Sequence, residues 1–114
     1  MTISNLQPGL TVDYESSDGL VTMRCSGEID IATIDHFREA IVFCLERRPS
    51  RFLLDLSDVS FIASEGLRSL LHLTRSSRER NMSLDLELAD QARHLIEVAG
   101  LQAVIGSGLR PKPA

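Results

Sequence analysis

Ser64 and Glu65 stand directly before Gly66-Leu67, where a helical pattern begins. A helix N-terminus exposes free N–H groups and the positive end of the dipole, so an added phosphate sits there without disturbing the fold. Such a phosphate adds about −1.5 to −2 of charge to whatever surface surrounds it. Glu28 and Asp30 are separated by one residue, so on extended backbone both side chains point the same way. A catalytic carboxylate pair requires a cleft that raises one pKa, whereas a solvated acidic rim requires only exposure. Cys25 and Cys44 fall on the inward faces of a predicted strand and helix, where free cysteine is ordinarily a small buried hydrophobe. A redox pair between them requires the helix to pack directly over that strand position. His36, His72 and His94 lie on three different predicted helices, exposed or partly packed, and none is assigned to metal or proton transfer.

No Ser-His-Asp set, nucleophile elbow or Walker loop is present, and no Cys/His grouping has zinc spacing. The chain therefore reads as a binding module, with no enzyme activity, cofactor or metal expected. Its 114 residues fit one domain, and 43% hydrophobic with 25% charged residues is ordinary for a globular protein with a core. The net charge of −4 argues against nonspecific binding to nucleic acid or anionic lipid. No apolar run approaches the roughly 20 residues that span a bilayer, and residues 1–9 are polar, without a secretory pattern. A cytoplasmic address is expected.

Around these residues the pattern predicts an α/β domain at 10–105, a flexible N-terminus at 1–9 and a loose tail at 106–114. Leu10, Val12 and Tyr14 alternate with polar residues, as do Val21, Met23 and Cys25, and Asp18-Gly19 joins the two strands as a hairpin. A helix is predicted over 33–48, burying Phe37, Ile41, Cys44 and Leu45 and stopped by Pro49. The apolar run 52–56 suits a parallel strand covered on both faces. A second helix, about 64–80, buries Leu67, Leu70, Leu71 and Thr74, with Asn81 as a left-handed cap. Leu84, Leu86 and Leu88 alternate as a further strand. Asp90 caps a third helix carrying Ala92, Leu95, Ile96 and Ala99, ended by Gly100, with Leu101, Val104 and Ile105 in a short last element. Helices between parallel strands imply right-handed crossovers in a mixed sheet of four to five strands with helices packed against it. Functional surface then gathers at the loops leaving strand C-termini, here 28–32 and 63–66. Oligomeric state stays open, with an exposed first strand offering one route to a dimer.

Those loops carry a resemblance. Ser26-Gly27-Glu28-Ile29-Asp30-Ile31-Ala32-Thr33 resembles the SGELD-hydrophobic-A-T stretch of STAS domains, and the run 54–62 (LDLSDVSFI) resembles their LDLSGVxFID segment. Gly66-Leu67 matches the GL that opens the second helix, and Val98-Ala99-Gly100-Leu101 resembles the TGL near the C-terminus. Four motifs in register cover roughly 10–105. Small members of this family are anti-sigma factor antagonists. The resemblance implies a partner-switching cycle, in which the antagonist binds an anti-sigma factor that is also a serine kinase and so frees a sigma factor. Phosphorylation just before the second helix ends the complex. The partner-binding surface implied here comprises Glu28, Ile29, Asp30, Ala63, Ser64, Glu65, Gly66 and Leu67. STAS domains also serve as accessory subunits of membrane transport systems or as nucleotide- and small-ligand-sensing modules, which are the alternatives.

The family reads Asp-Ser-Ser/Thr-Gly-Leu across this loop, and here the run is Ala63-Ser64-Glu65-Gly66-Leu67. Anchored on Gly66-Leu67, the usual acceptor position is Glu65. Three readings stand: Glu65 is a fixed partial mimic of the phosphorylated residue; Ser64 accepts the phosphate one residue out of register; or Glu65 merely favours the helix dipole and Ser64 merely caps.

Overall fold

In the computed structural model, which describes residues 2–7, 9–90, 93 and 94, the chain runs β1 (Thr2–Gln7), β2 (Leu10–Ser17), β3 (Leu20–Ile29), α1 (Ile34–Leu45), β4 (Arg51–Ile62), α2 (Ser64–Glu79) and β5 (Ser83–Leu88). The strands form one sheet in sequence order, with β1, β2 and β3 antiparallel and β3, β4 and β5 parallel. Asp18 and Gly19 both have positive φ, 50° and 82°, as a two-residue hairpin turn of matching twist requires. Asn81 takes the left-handed conformation after α2 (φ 53°), as its residue type predicts.

Each parallel step moves one strand in the same direction, so right-handed crossovers place α1 and α2 on one face. α1 packs on β2 and β3, α2 packs on β4 and β5, and the two helices touch. Phe37, Cys44, Leu70 and Leu73 meet Val12, Met23, Leu54, Leu56 and Leu86 in the buried layer between. Among the described residues the covering on both faces expected for β4 is not found. Phe52, Leu54 and Leu56 are buried but Leu53 and Asp55 only half-buried, because both of these helices lie on the same side.

Residues 2–7, which fall in the lead-in expected to be flexible, form strand β1. Thr2–Gln7 pairs with the Leu10–Glu15 part of β2, Thr2 opposite Glu15 and Gln7 opposite Leu10. The ladder is made of backbone groups, so a segment without apolar alternation satisfies it as well as one with it. β2 is therefore an interior strand, and the exposed dimerisation edge expected there does not exist. The predicted third helix appears at Asp90, Arg93 and His94, which are helical. Ala92, Leu95, Ile96, Ala99, Gly100, Leu101, Val104, Ile105 and the tail 106–114 lie outside the described residues.

β4 outruns β5, which pairs only with its residues 51–56. Beyond Asp55 its register with β3 slips twice, Ser26 facing Asp58 and Glu28 facing Phe61, so β4 carries two extra residues. These bulges break the alternation of burial at Ser57-Asp58 and Ser60-Phe61. Asp55 fixes the first: its carboxylate accepts from the Ser57 N–H (2.9 Å) and hydroxyl (2.6 Å). The outcome is a two-stranded extension that carries the ends of β3 and β4 past the rest of the sheet.

Candidate functional site

At the tip of this extension the two loops meet. The Ala63 N–H donates to the Ile29 carbonyl oxygen at 2.8 Å, tying the start of α2 to the end of β3. Gly27 (φ 115°) lets the chain close here, since a Cβ would overlap the Gly9 carbonyl oxygen, which accepts from the Glu28 N–H at 2.8 Å.

The turn into α1 is locked by Asp30 and Thr33. The Asp30 carboxylate accepts from the N–H groups of Ala32 (2.9 Å) and Thr33 (3.1 Å). The Thr33 hydroxyl donates to the Glu28 carbonyl (2.8 Å) and accepts from the Asp30 N–H (2.9 Å). Asp30 is thus committed to its own turn and is no partner for Glu28 in acid–base work. What the turn does is lift Ile31 clear of the surface, where it is 87% exposed.

Of the sequence-predicted surface residues, Glu28 and Ser64 are exposed, and Asp30, Ala63, Glu65 and Leu67 are half-buried. Ile29 and Gly66 are not on the surface. Ile29 is 0% exposed, and a Cβ at Gly66 would come within 2.9 Å of its Cγ2 and 2.7 Å of Ile62 Cγ2. They shape the site from beneath, because strand alternation turns Ile29 inward when Glu28 faces out. Ser64 does not cap α2. The N-cap is Ala63, without a side-chain hydrogen bond, so Ser64 and Glu65 are the first two helical residues, their N–H groups beyond reach of intrahelical acceptors.

Sequence reasoning missed Ile31 and Phe61. Both are apolar and neither was singled out for the surface, yet Phe61 is 52% exposed and faces Glu28 across the β3–β4 ladder. The only sequence signal was the LSDVSF run, whose polar residues break strand alternation. The tip therefore combines two exposed apolar side chains with the carboxylates of Glu28, Asp58 and Glu65.

Cys25 and Cys44 are both buried and free. Burial pushes the Cys44 thiol up to about 12. Cys25 is pushed further, first by burial and then by a Cys44 thiolate and the Asp55 and Asp13 carboxylates. Thiols held protonated this way are poor nucleophiles for disulfide exchange, which disfavours the redox pair. His36, expected to be exposed or partly packed, is buried, and among the described residues its Nε2 has no hydrogen-bond partner. His72 and His94 are exposed. Among the described residues no three His, Cys, Asp or Glu side chains are placed to hold a metal ion, and no helix is long and apolar enough to cross a membrane.

The arrangement has known counterparts. A model of the STAS domain matches residues 11–113. The anti-sigma-F factor antagonist RsfB of Mycobacterium tuberculosis is 34% identical over 61 residues, covering 54% of this chain and 50% of the relative, so the match spans about half the length of that curated protein. The crystal structure of an anti-sigma factor antagonist from Mycobacterium paratuberculosis superposes with a TM-score of 0.75 at 28% identity, over 90% of this chain and 86% of that one. Unphosphorylated SpoIIAA, an anti-sigma factor antagonist, shares the fold at a TM-score of 0.68 and 18% identity, over 90% and 88% of the two chains. With the strand order, the crossovers and the two motif loops all in place, the chain belongs to the STAS domain family.

Proposed function

We propose that this chain is an anti-sigma factor antagonist, a cytoplasmic binding module without catalytic chemistry of its own, whose partner is an anti-sigma factor of the serine-kinase type. The observation that carries the reading is the tip itself: exposed Ile31 and Phe61 beside Glu28 and the first turn of α2. Exposed apolar side chains within a charged rim are what a protein partner buries. The relatives named as anti-sigma factor antagonists supply the partner class.

In this reading Glu65 occupies the position where the family accepts phosphate. It holds about one negative charge permanently where a phosphate holds nearly two. The surface is therefore fixed near its charged state, and docking to a kinase-type partner is weakened without being switched. Ser64, exposed one residue earlier, stands out of register with that position. The test is co-purification of tagged wild type, Glu65→Ser and Glu65→Ala from native cells, with bound proteins identified by mass spectrometry. An anti-sigma kinase enriched by the substitutions supports the reading; a transporter component, or no anti-sigma factor with any of the three, overturns it.

A further inference from the structure

Away from the tip, α1 and α2 leave a groove of about 390 Å³ between their outer faces. Its floor is apolar, formed by Ile41, Val42, Leu45 and Leu73, and Val42 is 52% exposed although it lies mid-helix. Its rim holds Arg38 and Arg68, and among the described residues no carboxylate lines it. In a chain of net charge −4, whose tip is acidic, a cationic apolar groove is a local reversal of sign. Arg38 is held across the groove by Ser69, whose Oγ accepts from its Nε at 3.3 Å and donates to the Glu65 carbonyl at 3.0 Å. Its ion pair with Asp35 is long, 3.9 Å, and exposed, so it contributes little.

We propose that this groove docks an acidic amphipathic helix of a protein partner. The floor suits apolar anchors at i, i+3, i+4 and i+7, and flanking carboxylates meet Arg38 and Arg68. Charge argues against other occupants. A second copy docking by the same face would bring the arginines together, and residues 106–114 carry Arg110 and Lys112 but no acidic side chain. The groove adjoins the tip through Ser69 and Glu65 but shares no lining residue with it, so the inference does not rest on the function proposed above.

The test titrates the isotope-labelled full chain with a panel of peptides of about four helical turns, apolar on one stripe and Glu-rich on the flanks. A Lys-flanked panel of the same apolar pattern and decanoate serve as controls. Amide shifts confined to Val42, Leu45, Arg68 and His72, with affinity lowered about tenfold or more by Arg68→Glu or Val42→Asp, are expected. Thermal melts establish that each variant is folded. The proposal is overturned if no acidic peptide binds at about 1 mM. Binding of the Lys-flanked panel or decanoate equal to that of the acidic peptides overturns it too, as do shifts elsewhere or concentration-dependent self-association through Val42.

Discussion

Asp30 and Thr33 hold each other through two bonds in opposite senses: the Asp30 N–H donates to Thr33 Oγ1 at 2.9 Å, and the Thr33 N–H donates to Asp30 Oδ1 at 3.1 Å. This closed pair removes Asp30 from any catalytic role. Asp30→Ala leaves the Ala32 N–H without its acceptor and removes the carboxylate from the Thr33 N–H, which keeps the Asp30 carbonyl at 3.1 Å. The expected loss is about 1–2 kcal/mol in urea unfolding, with Asp30→Asn recovering part of it through the retained oxygen. Equal losses for both variants would show that the turn depends on charge instead.

Gly27 is required by space as well as by its φ of 115°. Gly27→Ala forces the new methyl against the Gly9 carbonyl oxygen, which is backbone and has nowhere to go. Destabilisation of at least about 2 kcal/mol is expected from chemical denaturation, together with loss of hydrogen-exchange protection at Glu28. A fully protected Glu28 amide in this variant would contradict the assignment.

Buried thiols give the fold an alkaline limit. Cys25 and Cys44 are raised by burial, and Tyr14 is pushed up to about 12, again chiefly by burial. Above about pH 8.5 the unfolded chain releases thiol protons that the folded chain keeps. The unfolded state then binds fewer protons, so stability falls as pH rises, by up to about 1.4 kcal/mol per pH unit for each group. Below that pH the thiols contribute no slope. Cys44→Ala is expected to flatten the decline between about pH 9 and 12, measured by urea midpoints; an unchanged slope would contradict it. Native protein should also resist thiol labelling until it is unfolded.

Among the described residues the buried His36 Nε2 has no hydrogen-bond partner, and an unsatisfied polar atom there costs about 1–3 kcal/mol. His36→Met, of similar volume and without that atom, is expected to raise the urea midpoint. A lowered midpoint would show that the imidazole is satisfied in solution.

Much of this was legible in the residues. Asp18-Gly19 announced the hairpin, Leu84, Leu86 and Leu88 announced β5, and Phe37, Ile41 and Cys44 announced the buried face of α1. β1 was not, because backbone pairing leaves no period in a polar segment. Covering on one face of the sheet was not, because the run 52–56 is apolar but for Asp55 while the crossovers decide which side is dry. The site was half legible. Motif spacing found the two loops that the Ala63–Ile29 hydrogen bond joins, but Ile29 and Ile31 look alike in sequence. One is core and the other is the most exposed large apolar residue among those described, because the Asp30–Thr33 turn comes between them.

The central claim, that the tip docks an anti-sigma factor and that Glu65 weakens the docking, is tested most directly by affinity. Calorimetry with the anti-sigma factor from the same cells would compare wild type, Glu65→Ser and the double variant Glu65→Ser/Ile31→Glu. Binding tightened about tenfold or more by Glu65→Ser, and lost again with Ile31→Glu while the fold persists, is the expected result. Affinity unchanged by either substitution would contradict the account.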